Sequence, residues 1–178
     1  TVPDHDALDL GTGADKAWTV LAVYRRTATT GLTQDIVNKS GSSSANADWR
    51  LFRTASGNLL YWGTGNSSDG GAWLTFAEPT TNAFHILVGK LRQTNETAGV
   101  KSVIIDGGTV TNDVSYAVKG AANAEPVRIG NYVNNGGPLH GYVAEILVYN
   151  CELHEYQAKK VGWYLQDKYG LSGAYTYP

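Results

Sequence analysis

The sequence predicts an all-β chain, an antiparallel sandwich or barrel, closed by one C-terminal α-helix. Short apolar or alternating segments succeed one another at close spacing, and clusters of Gly, Ser, Asn and Asp stand between them. The last apolar strand, Gly141 to Asn150, runs straight into the only segment with a helical pattern. No internal repeat is evident, which argues against a propeller or a β-helix.

The strands can be justified in order. In Trp18 to Arg25, Trp18, Val20, Ala22 and Tyr24 alternate with Thr19, Leu21, Val23 and Arg25, so this strand is expected to be covered on both faces in its middle. Further strands are expected at Gln34 to Lys39, Trp49 to Thr54, Leu59 to Gly63, Ala72 to Glu78, Ala83 to Leu91, Val100 to Ile105, Val127 to Tyr132 and Leu139 to Asn150. Asp106-Gly107 is a short hairpin turn by its residue types, since both tolerate positive φ. The helix is placed at roughly Leu153 to Tyr169, with Leu153, Val161, Tyr164 and Leu165 on its packing face and Gly170 at the left-handed C-cap position. Glu155 and Lys168 complement the helix dipole at its two ends.

With 178 residues, the chain is long enough for one well-filled core, and a single domain over 1–178 is expected. The formal net charge is −2 and no segment concentrates Lys or Arg, which excludes the electrostatic footprint of a nucleic-acid binder. No apolar run is long enough for a membrane span, so membrane insertion is not expected. The single Cys151 rules out an internal disulfide framework and a cysteine-based zinc site. Methionine is absent even at position 1, from which we expect a piece of a longer polypeptide.

Several motifs, in their order along the chain, resemble a known family. Thr1 to Leu10, the strand Trp18 to Tyr24, Ile36-Val-Asn-Lys39, Phe84 to Val88 and Val103-Ile-Ile-Asp-Gly107 each match a family segment. Val127-Arg-Ile-Gly130, Gly141 to Asn150 and Val161 to Leu171 are the most specific. The chain is similar to LamG-like, concanavalin A-like domains of bacterial secreted proteins and phage structural proteins. The resemblance implies a two-sheet antiparallel jelly-roll sandwich with the helix as a brace. It also implies a secreted or surface-exposed setting, with a virion as the alternative. At the helix start His154 stands where the family commonly has Ser, so the N-cap should be weaker or use another group.

Fold does not fix function, so the residues must decide. Sugar hydrolysis needs two carboxylates flanking one bond, and Glu78, Glu96, Glu125, Glu145, Glu152 and Glu155 have no acidic partner two or four places away on a strand. Glu145, among Val143, Ile146 and Leu147, invites reading as a catalytic acid; we read it instead as a hydrogen-bond acceptor locking the last strand to the helix. His85 is the strand-borne candidate for lyase chemistry and is read as a framework residue. Catalysis is therefore not expected.

Glycan binding has better material, because sugars stack on flat aromatic faces and pair with amides and hydroxyls. Trp62 and Trp73 flank a segment holding Asn66 and Asp69, while Asn131, Tyr132, Asn134 and His140 lie in a second glycine-rich segment. These eight residues are the expected ligand contacts. Calcium, common in the resembling superfamily, would draw on Asp4, Asp6, Asn66 or Asp69, though no fixed ligand spacing is present. The expected partner is a glycan or polysaccharide. A structural or adhesive virion module, contacting neighbouring domains or virion proteins, is the second expectation, and a polysaccharide-active enzyme is third.

Overall fold

The computed structural model describes residues 1–9, 16–28, 31–41, 47–55, 59–64, 72–95, 98–113, 123–133 and 137–176. Ten strands lie among them: β1 (Ala17–Arg26), β2 (Gln34–Ser40), β3 (Ala47–Arg53), β4 (Leu59–Thr64), β5 (Ala72–Ala77), β6 (Phe84–Asn95), β7 (Ala98–Ile105), β8 (Thr111–Asp113), β9 (Arg128–Ile129) and β10 (Gly141–Tyr149). They form two antiparallel five-stranded sheets, ordered β10-β1-β6-β7-β8 and β5-β4-β3-β2-β9. Helix α1 (Glu155–Tyr169) follows. Among the described residues no helix is long and apolar enough to cross a membrane.

The two sheets close over a core of Trp18, Val20, Ala22 and Tyr24 from β1 against Trp49, Leu51, Leu60, Trp62, Leu74 and Phe76 from the second sheet. The other parity of β1, Leu21 and Val23, joins Ile86, Val88 and Ile104 in a second core beneath Ala158 and Leu165 of α1. The first sheet is thus buried on both faces, as its doubly apolar β1 requires. The second sheet has only its inner face in that core, and its outer face carries the polar and aromatic residues described below. Close approach of the two sheets depends on Gly89. A Cβ there would lie 2.7 Å from the Trp62 indole.

Two expectations need correction, and one strand was missed. Tyr164 is half exposed, and Ala158, Gly162 and Leu165 form the buried stripe of α1 instead. Gly162 is there because the Tyr175 ring occupies the space a side chain would fill, 2.2 Å from an ideal Cβ. The Val127 to Tyr132 strand shrinks to Arg128–Ile129, because the chain turns at Gly130 with φ +71°. Finally, β8 was hidden in sequence by its brevity. Its three residues pair with Lys101, Ser102 and Val103 of β7.

The helix termini are satisfied as the sequence suggests. The Gln157 side chain accepts the His154 N–H at 2.9 Å, the reach-back bond of a capping box. Gly170 adopts φ +60°, and the Leu171 N–H returns to the Gln166 carbonyl at 2.9 Å.

Asp106-Gly107 forms the expected turn, with φ of +50° and +75°. It also fastens three elements. The Asp106 carboxylate accepts the Ile86 N–H at 2.8 Å and meets His85 Nδ1 at 2.7 Å, while its carbonyl accepts the Ala174 N–H at 2.9 Å. His85 Nε2 lies 2.8 Å from the Thr80 carbonyl. A carboxylate on one ring nitrogen and a carbonyl on the other both call for donors, so the imidazolium fits best. Burial opposes that charge, but the bonds to Asp106 and Thr80 outweigh it and raise the His85 pKa. His85 therefore contributes stability that is full below the unfolded value of about 6.5 and is lost as pH rises through the raised folded value. Denaturation midpoints measured across this window should fall with rising pH, and His85→Gln should flatten the slope.

Candidate functional site

The outer face of the second sheet is built by strand alternation. Trp49 and Leu51 point into the core, so Arg50 between them and Phe52 after them face outward. Register then places Tyr61 opposite Phe52, Gly63 opposite Arg50, and Trp73 opposite Gly63. In β2 the pairing slips between Asp35 and Val37, leaving Ile36 as an extra residue. That bulge lets Ile36 and Val37 both enter the core while Asp35 and Asn38 meet beside Arg50, with Asn38 Nδ2 3.2 Å from Asp35 Oδ1.

These residues form one continuous platform. Arg50 Nε and Nη2 donate to the two Asp35 carboxylate oxygens at 2.5 and 2.7 Å. Its guanidinium carbon lies over two rings, 4.0 Å from the Phe52 centroid and 4.2 Å from that of Tyr132. Phe52 in turn stacks on Tyr61 and meets Trp73 edge-on, each with centroids 5.1 Å apart. Asp35 is fully buried; burial pushes its carboxyl above the usual carboxylate range, against the opposing pull of Arg50. The segment after β9 holds the far end in place. Asn38 Nδ2 donates to the Asn131 carbonyl at 2.7 Å, and the Tyr132 hydroxyl donates to the Gly41 carbonyl at 3.1 Å. Trp73, Tyr61 and Tyr132 remain half-buried, each presenting part of its side chain to solvent.

The structure sorts the expected contact residues. Trp73 and Tyr132 lie at opposite ends of this platform, and Asn131 supports it through its backbone. Trp62 does not belong: its ring is fully buried between the sheets and its indole N–H donates to the Lys90 carbonyl at 3.1 Å. Its parity is opposite to that of Tyr61, which takes the outward position. His140 is exposed, but its backbone serves the fold, donating to Gln34 Oε1 at 3.1 Å and accepting the Thr27 N–H at 2.8 Å. Asn66, Asp69 and Asn134 lie outside the described residues. Arg50, Phe52, Tyr61 and Asp35 were missed. Only the odd-even alternation of Trp49 to Arg53 hints at them, and with aromatics on both parities it does not say which face is core.

Of the calcium donors named from sequence, Asp4 is engaged by a lysine, Asp6 lies in the short 3-10 turn Asp6–Leu8, and Asn66 and Asp69 lie outside the described residues. Asp4 and Asp9 both embrace the buried Lys39 ammonium, at 2.8 and 2.7 Å, and the Asn123 carbonyl accepts from the same nitrogen at 2.6 Å. A protein cation already fills that oxygen cage. Among the described residues no three His, Cys, Asp or Glu side chains are grouped to hold a metal ion.

Three carboxylates, Glu145, Glu78 and Asp9, are likewise committed to structure. Glu145 Oε2 accepts from Lys168 Nζ at 2.9 Å and Tyr169 Oη at 3.0 Å, tying β10 to α1. The Lys168 hydrogen bond lowers its pKa, the reverse of what a general acid needs. Glu78 is buried between Arg26 and Arg53, bonded to both through their Nε atoms. Asp6 and Asp9 line a cleft of about 310 Å³ with Trp18, but Asp9 is held by Lys39.

Known structures share this architecture at low identity. The CBM40 of the Ruminococcus gnavus IT-sialidase, bound to α2,3-sialyllactose, superposes with a TM-score of 0.62 at 15% identity over 80% of each chain. The leech intramolecular trans-sialidase gives 0.57 at 15% identity, over 80% of this chain and 22% of that one. The binding domain of botulinum neurotoxin DC in complex with SialylT gives 0.60 at 11% identity, over 85% of this chain and 36% of that one. No curated protein matches the chain in sequence. The family model Laminin_G_3, described as the concanavalin A-like lectin/glucanases superfamily, matches residues 2–158. It spans both sheets and the start of α1, and the chain belongs to this superfamily.

Proposed function

We propose that the chain is a non-catalytic glycan-binding domain that works at a surface outside the cell. The observation that carries this is the platform of Tyr132, Arg50, Phe52, Tyr61 and Trp73 on the sheet face that α1 leaves uncovered. Pyranose rings present flat C–H faces that stack on aromatic rings, and the platform offers such rings at two well-separated places. Its geometry is set in advance, because Asp35 fixes Arg50 and Arg50 fixes Phe52 and Tyr132. Preorganisation of that kind reduces the ordering entropy lost on binding. The known structures that bind sialyllactose or SialylT on the same architecture support the reading as fold-level analogy. The carboxylate arrangement supports the non-catalytic part, since Glu78, Glu145 and Asp9 are each held by a cation. A single shallow platform gives modest affinity, so useful avidity would come from repetition of the site in a larger assembly.

The test is a glycan array with the intact chain, followed by titration of the best hit. Trp73→Ala and Tyr132→Ala are each expected to weaken binding about ten-fold or more, as for central aromatic contacts. Tyr156→Ala, on the exposed side of α1, should leave it unchanged. Equal affinity in all four proteins, or turnover of any bound oligosaccharide, would refute this assignment.

A further inference from the structure

We propose that the platform takes uncharged glycans and discriminates against carboxylate-bearing ones, because every cation of its sheet is already engaged by a carboxylate of the chain itself. This rests on the platform being the glycan site. It departs from what the known structures in complex with sialyllactose would suggest by analogy.

The argument is an inventory of positive charge. Among the described residues the second sheet carries Lys39, Arg50, Arg53 and Arg128. Arg50, the only one within the platform, gives both hydrogen bonds of its Nε–Nη2 fork to Asp35 and lies over the Phe52 and Tyr132 rings. The Nη1–Nη2 edge of Arg50 could still donate to a second carboxylate, but Asp35 already balances its charge, so that carboxylate would meet a neutral pair and not a free cation. Asp35 itself stays in place, being fully buried and fixed at its backbone by the Gly137 carbonyl at 3.0 Å. Arg128 gives Nη2 to Glu125 at 2.7 Å and Nη1 to the Ser40 carbonyl at 2.8 Å. Arg53 and Lys39 face the interior, on Glu78 and on Asp4 with Asp9. Neither β4 nor β5 contains a basic residue.

In sequence, residues 42–46, 65–71 and 134–136 contain no Lys, Arg or His, and the second of these adds Asp69, whereas the connection before β9 carries one lysine, Lys119. A carboxylate would therefore lose hydration at this face without gaining an unpaired cation, a poorly compensated desolvation. A neutral sugar gives up less water and gains the ring contacts and amide hydrogen bonds.

The experiment uses the intact chain on an array of matched pairs. Lactose is set against α2,3-sialyllactose, and neutral hexasaccharides of glucose and N-acetylglucosamine against oligogalacturonate. Binding is read at about 50 and 500 mM salt, which brackets strong and weak screening. The expected result is signal on neutral members only, changing less than about two-fold with salt because no charge pair forms. Asp35→Asn, which weakens the hold on Arg50, is expected to shift the ratio of sialylated to neutral binding at least about ten-fold toward the anion. If that variant fails to fold, the array of the native chain decides alone. Salt-sensitive preference for any anionic member would overturn this inference while leaving the glycan site intact. Absence of binding to every glycan would overturn both.

Discussion

Replacing Glu78 with alanine should destabilise the protein by about 3–5 kcal/mol, the usual consequence of stranding buried charge. Its carboxylate lies between the Arg26 and Arg53 side chains, all three with side chains no more than 5% exposed. Removing it leaves two guanidiniums facing each other between the sheets. Arg26 Nη1 retains the Ala28 carbonyl at 2.7 Å and Arg53 Nη1 the Thr54 carbonyl at 3.0 Å, but neither bond neutralises a charge. Urea denaturation would read the loss as a lower midpoint at unchanged slope. A triple substitution, Arg26→Met, Glu78→Leu and Arg53→Met, is expected to recover most of it, because well-packed apolar side chains of similar volume avoid the desolvation altogether. A Glu78→Ala protein as stable as the native one would show that water reaches this triad.

Truncating Trp62 to alanine should cost about 3–5 kcal/mol for a different reason, a large cavity at the centre of the core. The indole rests on Gly89 of the opposite sheet, and the two positions are complementary in volume. Gly89→Ala alone should be destabilising, since its Cβ would meet the ring at 2.7 Å. In the Trp62→Ala background the same methyl partly fills the void, so a double-mutant cycle should show favourable coupling. Trp62→Phe keeps most of the volume and is expected to leave glycan affinity unchanged while lowering the denaturation midpoint. That outcome separates a core role for this tryptophan from the contact role of Trp73.

What sequence could disclose here depended on how far each feature reaches along the chain. The β10–α1 junction and the Gly170 cap were legible because local pattern and local φ requirements set them. The same holds for Asp106-Gly107, whose residue types announce positive φ. The two tryptophans of β4 and β5 were equivalent on paper. Only register distinguishes them, and Trp62 pairs with Leu74 on the inside while Trp73 pairs with Gly63 on the outside. The platform was harder still. Arg50 is aligned by Asp35 through a bulge in β2 and covered by Tyr132 from beyond β9, so its role exists only once three distant segments meet. Short strands such as β8 leave no periodicity to detect, and the long connection before β9 conceals where pairing resumes.

Placement of α1 on the first sheet gives the molecule a back and a front, with a practical corollary for handling it. Among the described residues the solvent-exposed lysines, Lys159, Lys160 and Lys168, all sit on α1, whereas Lys39, Lys90 and Lys101 are buried. Attachment to a bead or sensor chip through these three lysines would thus tether the protein by its back, with the aromatic side toward the analyte stream.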